Sequence, residues 1–128
     1  MNYEKSIIVE LFYIQLITKY SCKCGNIIYR FQKLIDLPLI FPANNNIFSL
    51  IELFEFNFKQ EIVDFHTKCI KCNNINKNLK EVKISIIPEI LILSLQRFDK
   101  IKNTKNMSTI SIPFRLNIIK YIDTDIII

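Results

Sequence analysis

The sequence predicts an α+β fold in which antiparallel strands dominate and one or two short helices pack on them. Three observations carry this. Segments of alternating apolar and polar residues recur along the chain, the period of a half-buried strand. One stretch, 49–59, has a helical period and a capped start. Four cysteines form two close pairs, Cys22 with Cys24 in "SCKCGN" and Cys69 with Cys72 in "TKCIKCNN", with 44 residues between the pairs. Two short cysteine turns brought side by side supply four thiolates, the donor set of a tetrahedral structural zinc. The spacing therefore predicts a long-range contact between the two cysteine turns.

Taken in order, residues 6–12 read as a short helix, because Ile7, Ile8, Leu11 and Phe12 make one apolar stripe. "YIQLITKYSC" reads as a strand. "NIIYRFQKLIDLPL" alternates, with Tyr29, Phe31, Ile35 and Leu37 on one face and Arg30, Gln32 and Asp36 on the other, so it is expected to be half-buried and paired with its predecessor through the "CKCGN" turn. Pro38, Pro42 and the asparagines should end it. Ser49 and Glu52 then fit a capping box, and Leu50, Ile51, Phe54 and Phe58 should form the buried face of a helix. After the second cysteine turn, "LKEVKISIIP" alternates again. Pro88 opens "EILILSLQRF", which is apolar on both faces and should be a central strand. "STISIPFRLNIIKYI" gives a last strand signal with a proline break, and Ile126, Ile127 and Ile128 begin another apolar strand.

At 128 residues and 50% hydrophobic content the chain fits one domain with one core. Gly25 is its one glycine, which leaves little room for flexible linkers. The net charge of +5 comes from lysines scattered near acidic residues, a solvated surface with no basic stripe interleaved with aromatics, so no nucleic-acid partner is expected. The apolar start "MNYEKSIIVELFYIQLI" is interrupted by Glu10 and Gln15 and lacks a small-residue cleavage site. It is neither a signal peptide nor a membrane span. A reducing location, cytoplasmic or nuclear, is expected, where paired cysteines bind metal more often than they form disulfides.

The stretches "SIIVELFYIQLITKYSCKCGN", "YRFQKLIDLPL", "SLIELFEFNFKQE", "CIKC", "IPEILILSLQRFD" and "ISIPFRL" occur in this order over nearly the whole chain. Together they resemble the middle of the catalytic domain of ubiquitin-specific proteases, the cysteine-type deubiquitinases. The resemblance implies one partial papain-like domain over residues 1–128, truncated at both ends. The fingers would occupy about 14–38 and 64–87, and palm strands about 88–122. It implies a structural zinc on Cys22, Cys24, Cys69 and Cys72, ubiquitin or a ubiquitinated protein as partner, Phe98 close to the ubiquitin tail, and a structural role for Arg97 in the palm. The family's nucleophile and histidine boxes are absent from these 128 residues, so no catalytic residue is assigned and the chain alone is expected to be inactive.

Two points stay open at this stage. The first cysteine pair has one intervening residue where two are usual, with Ser21 standing where a cysteine would complete the normal gap. The tip is thus either a zinc site, with His66 able to replace Cys22, or four inert thiols in fingers that have lost the metal. His66 and Cys69 also invite comparison with a catalytic dyad, but residues three apart on an extended chain face opposite ways, and Cys69 belongs to the metal pair. The alternative of a freestanding zinc-ribbon module binding nucleic acid or protein meets an obstacle. Such ribbons separate their pairs by about 15 to 20 residues, and here a capped helix intervenes.

Overall fold

The structure is a computed structural model and describes residues 6–43 and 49–124. Its largest element is a four-stranded antiparallel sheet in the order β2-β1-β5-β4, built from β1 (Ile14–Ser21), β2 (Ile27–Leu34), β4 (Glu61–Asp64) and β5 (Lys77–Ile86). β1 lies between β2 and β5, with Ile17 opposite Phe31 on one side and Lys83 on the other. β5 is the longest strand at 10 residues, and at about 3.4 Å per residue it makes the sheet a long finger. Near its base the β1–β5 register shifts, pairing Gln15 with Ile86 and Leu16 with Ile84. Ser85, the residue left over, donates its hydroxyl to the Gln15 carbonyl at 3.2 Å.

The core sits at that base. Ile14, Leu16 and Ile84 of the finger meet Leu37 and Leu39 of β3 (Leu37–Ile40), together with Leu50, Leu53, Phe54 and Phe58 of α2 (Leu50–Phe58) and Tyr121. Phe54 is fully buried and contacts Phe58 and Tyr121 at ring centroid distances of 5.8 and 5.4 Å. Ser49 caps α2 by accepting from the Glu52 N–H at 3.2 Å while donating its hydroxyl to Glu52 Oε1. The buried face of α2 contains Leu53 in place of Ile51, which is 51% exposed. At 3.6 residues per turn, positions 50, 53, 54 and 58 cluster on one side and position 51 falls outside them.

The segment 26–39, expected as one strand, divides between two. It bends after Leu34 and leaves the finger to pair β3 in parallel with β6 (Leu93–Gln96). Pro38 lies within β3, because Leu37 N–H donates inward to the Ile92 carbonyl and alternation turns the Pro38 nitrogen to the outer edge. At the next outward position the Asn57 side chain stands in for a strand. Its Oδ1 accepts from Ile40 N–H at 2.8 Å and its Nδ2 donates to the Ile40 carbonyl at 3.0 Å.

Three further expectations are corrected. Tyr29 and Phe31 do not face the core; they are 51% and 56% exposed. β2 sends Leu34 toward the core from its even-numbered face, so the odd-numbered residues point outward. "EILILSLQRF" is not a central buried strand, since among the described residues β6 pairs with β3 alone and Ile90 and Ile92 are exposed. "STISIPFRLNIIKYI" makes no strand. Pro113 breaks it, and the segment crosses the α2 cap through Leu50 N–H to the Ser111 carbonyl, turns in a short 3-10 helix (Ile119–Tyr121), and docks on β5 through Asp123 N–H to the Ile84 carbonyl. The strand expected at Ile126 to Ile128 lies outside the described residues.

α1 (Ile7–Phe12) forms as expected, with the Ser6 hydroxyl accepting from Val9 N–H, but Ile7, Ile8 and Val9 are exposed. A two-stranded hairpin, β7 (Phe98–Asp99) with β8 (Thr104–Lys105), follows β6. Among the described residues no helix is long and apolar enough to cross a membrane.

Candidate metal centre and the open faces beside it

At the far end of the finger the β1–β2 turn meets the loop between β4 and β5, and the four cysteine sulfurs converge within 4.8 Å of one another. The pairing is crosswise. Cys22 Sγ is 3.9 Å from Cys72 Sγ, and Cys24 Sγ is 3.5 Å from Cys69 Sγ. Cys69 is buried and the other three are partly so. Four thiols in this arrangement could together hold one metal ion.

Backbone geometry explains how turns of unequal length reach one point. In the first, Cys22 N–H donates to the Asn26 carbonyl and Gly25 N–H donates to the Cys22 carbonyl, both at 2.9 Å. In the second, Cys69 N–H donates to the Asn74 carbonyl at 3.0 Å and Asn73 N–H donates to the Cys69 carbonyl at 2.8 Å. The second loop closes one residue later, which accommodates its extra residue. In both, the residue after the second cysteine takes a positive φ, 91° at Gly25 and 58° at Asn73, a conformation open to glycine and tolerated by asparagine. Gly25 is thus the glycine the turn requires, although a Cβ there would meet nothing within 4 Å.

Hydrogen-bond donors surround the sulfurs. The Cys24 backbone N–H and then the Asn76 side-chain amide pull the Cys22 thiol down to about 6. The Cys72 and Lys71 backbone N–H groups lower Cys69. Cys24 goes the other way: the Asn26 N–H draws it down, but burial and the three neighbouring sulfurs push it up to about 11. N–H groups thus favour negative charge on Cys22 and Cys69, while burial and the neighbouring sulfurs disfavour it on Cys24.

His66 is not part of the cluster. It lines a separate cleft with Tyr20, Arg30, Asp64, Phe65 and Lys80, where the Arg30 guanidinium lies over the Tyr20 and Phe65 rings at 5.4 and 5.7 Å. Arg97 is tied to nearby backbone and to one ring. Its guanidinium donates to the Asn106 and Ser108 carbonyls at 3.3 and 2.6 Å and lies 5.0 Å from the Phe41 ring. Phe98 is 55% exposed and lines an open cleft of about 920 Å³ between β3 and the β7–β8 hairpin, with Ile40 and Phe41 opposite.

Sequence reasoning missed two features. Tyr29 and Phe31 flank an open groove of about 340 Å³ on the finger, with Ile17 at its floor and Lys19, Glu81, Lys83 and Asp123 around it. Asn76, in a run of asparagines that reads as turn, donates its Nδ2 to both Cys22 Sγ and Cys72 Sγ at 3.4 Å. Its one legible signal was its place four residues after Cys72.

A long antiparallel finger tipped by a four-thiol cluster, on a small base of one capped helix and a parallel strand pair, defines an α+β domain of the cysteine-cluster finger class. A family model described as ubiquitin carboxyl-terminal hydrolase matches residues 1–126. The chain belongs to the ubiquitin carboxyl-terminal hydrolase family, which bears out the resemblance to ubiquitin-specific proteases. Ubiquitin carboxyl-terminal hydrolase 8 of Saccharomyces cerevisiae is 28% identical over 93 residues, 70% of this chain and 19% of that protein. Ubiquitin carboxyl-terminal hydrolase 21 of Homo sapiens is 29% identical over 120 residues, 88% of this chain and 21% of that protein. Among solved structures, the SAGA DUB module of Ubp8, Sgf11, Sus1 and Sgf73 bound to monoubiquitin matches with a TM-score of 0.82 and 26% identity, over 94% of this chain and 28% of that one. The chain thus spans about a fifth of these curated relatives' length.

Proposed function

We propose that this chain supplies the zinc-tipped, ubiquitin-holding fingers and part of the palm of a ubiquitin-specific protease domain, and that it grips ubiquitin without cleaving it. The observation that carries this reading is the convergence of four sulfurs at the tip of a finger whose broad face is left open. The donor set fits zinc. Tetrahedral Zn–S bonds of about 2.3 Å place sulfurs about 3.8 Å apart, and the crosswise pairs stand at 3.9 and 3.5 Å. When bound, zinc supplies a structural cross-link, because four protein ligands leave no open position for a substrate.

The inventory of cysteines and histidines supports the reading that this chain does not cleave by itself. All four cysteines belong to the cluster, and the chain's single histidine, His66, lies in a different cleft. None is left to act as a nucleophile with a base beside it. Binding has better support. Tyr29 and Phe31 present exposed aromatic surface beside a groove rimmed by both signs of charge, the composition of a protein-recognition surface. The solved relative bound to monoubiquitin shares this fold at 26% identity. The exposure of Phe98 in the cleft beside β3 supports a contact with an extended peptide such as the ubiquitin tail.

Titration of the 128-residue chain with monoubiquitin, followed by NMR, tests this. The expected result is saturable shifts at Ile17, Tyr29 and Phe31, weakened at least about tenfold in a Tyr29→Ala/Phe31→Ala variant, with no hydrolysis of ubiquitin carrying a fluorogenic tail. Turnover by this chain, or shifts confined to other surfaces, would contradict the reading.

A further inference from the structure

We propose that Asn76 is a positioning residue of the metal centre, using one side-chain amide to fix Cys22 and Cys72 in ligating orientation and to take up part of their charge. The inference rests on the zinc reading above and goes beyond it, since Asn76 is not a ligand. Its Nδ2 lies 3.4 Å from Cys22 Sγ and 3.4 Å from Cys72 Sγ, so a single NH2 group, with two donors, spans the two turns. Among the described residues it is the side-chain amide that reaches the cluster.

The pair it bridges is the looser one, 3.9 Å against 3.5 Å for Cys24 and Cys69. It also includes Cys22, which opens the short cysteine-x-cysteine turn. A shorter turn has fewer dihedrals with which to aim its first thiolate. The bridge from Asn76 supplies across the finger the orientation that the turn cannot supply locally. Charge points the same way. Four thiolates on a divalent cation carry a net charge of −2, and each N–H directed at sulfur offsets part of it. Partners of this kind, which orient ligands without touching the metal, are worth about 10- to 100-fold in affinity.

The test measures zinc affinity by competition with a chromogenic chelator for the wild-type chain and for Asn76→Ala and Asn76→Asp, with cobalt substitution as a second readout. Asn76→Ala is expected to bind zinc about 10- to 100-fold more weakly. Asn76→Asp is expected to bind more weakly still, because a carboxylate of the same shape turns two attractive contacts into repulsion. In both variants the cobalt form should keep the intense thiolate-to-cobalt charge-transfer bands of four sulfur ligands, shifted in energy. A purely structural asparagine would lower the melting temperature of metal-loaded and metal-stripped protein equally and leave affinity and cobalt bands unmoved. That result, with the wild type binding zinc tightly, would overturn the proposal alone. A wild-type chain that binds no zinc would overturn the metal reading with it.

Discussion

Cys24 Sγ lies 3.5 Å from Cys69 Sγ although 45 positions separate them in the chain. The contact closes the finger at its tip, joining the β1–β2 turn to the loop that feeds β5, while the hydrophobic core closes it at the base. Because the sulfurs cross-pair between turns, no single turn can hold a metal by itself. Each of Cys22→Ser, Cys24→Ser, Cys69→Ser and Cys72→Ser is therefore expected to lower zinc affinity by more than about 100-fold, Cys22 included, while His66→Ala leaves it unchanged. Competition titrations check this directly. A Cys22→Ser variant of wild-type affinity would remove Cys22 from the ligand set.

At the other end, Phe54 is fully enclosed by Phe58, Tyr121 and the finger base. Phe54→Ala should cost about 3–5 kcal/mol through lost burial and a residual cavity. Ile51→Ala, on the exposed face of the same helix, should change stability by less than about 0.5 kcal/mol. Urea denaturation of the two variants separates them, and equal losses would contradict the packing described.

The clamp between α2 and the 3-10 helix is a matter of charge. Glu55 accepts from the Lys120 ammonium and from the Tyr121 hydroxyl, the latter at 2.8 Å. These donors, Lys120 first, hold the Glu55 carboxyl below its usual range, so its contribution is complete above about pH 4.3 and is lost as pH falls through the lowered value. Tyr121 is pushed up to about 12 by burial and by Glu55, so its contribution is present below about pH 10 and is lost as pH rises toward 12. The stability gap between wild type and Glu55→Gln should stay level from pH 5 to pH 9 and narrow at both extremes. A gap that widened below pH 4 would contradict the sign.

How much of this was legible in the sequence depended on how local each signal was. The Ser49 cap, the α2 helix, β1, β5 and the convergence of the cysteine pairs were readable, because capping chemistry, alternation and ligand pairing each leave a mark within a few residues. Which face of β2 turns inward was not. Alternation fixes a period and leaves its phase open, and the aromatics Tyr29 and Phe31 imply burial to any hydrophobic pattern, yet they face outward. The bend after Leu34, which carries β3 into a second sheet, leaves equally little trace, because Pro38 is compatible both with a strand end and with an edge strand. At the tip, the missing residue of the first cysteine turn argued against Cys22. Positive φ at Gly25 and Asn73, and the amide of Asn76, bring its sulfur to the cluster nonetheless.

The central claim is that one metal ion holds the fingertip together, and the metal content of the purified chain tests it most directly. The account predicts about one zinc per chain, and a fall in melting temperature of more than ~10 °C when a strong chelator removes it, since structural sites contribute about 10–16 kcal/mol of apparent binding energy. A chain that carries less than about a tenth of an equivalent of zinc after refolding with zinc in excess, and melts at the same temperature with and without chelator, would contradict it.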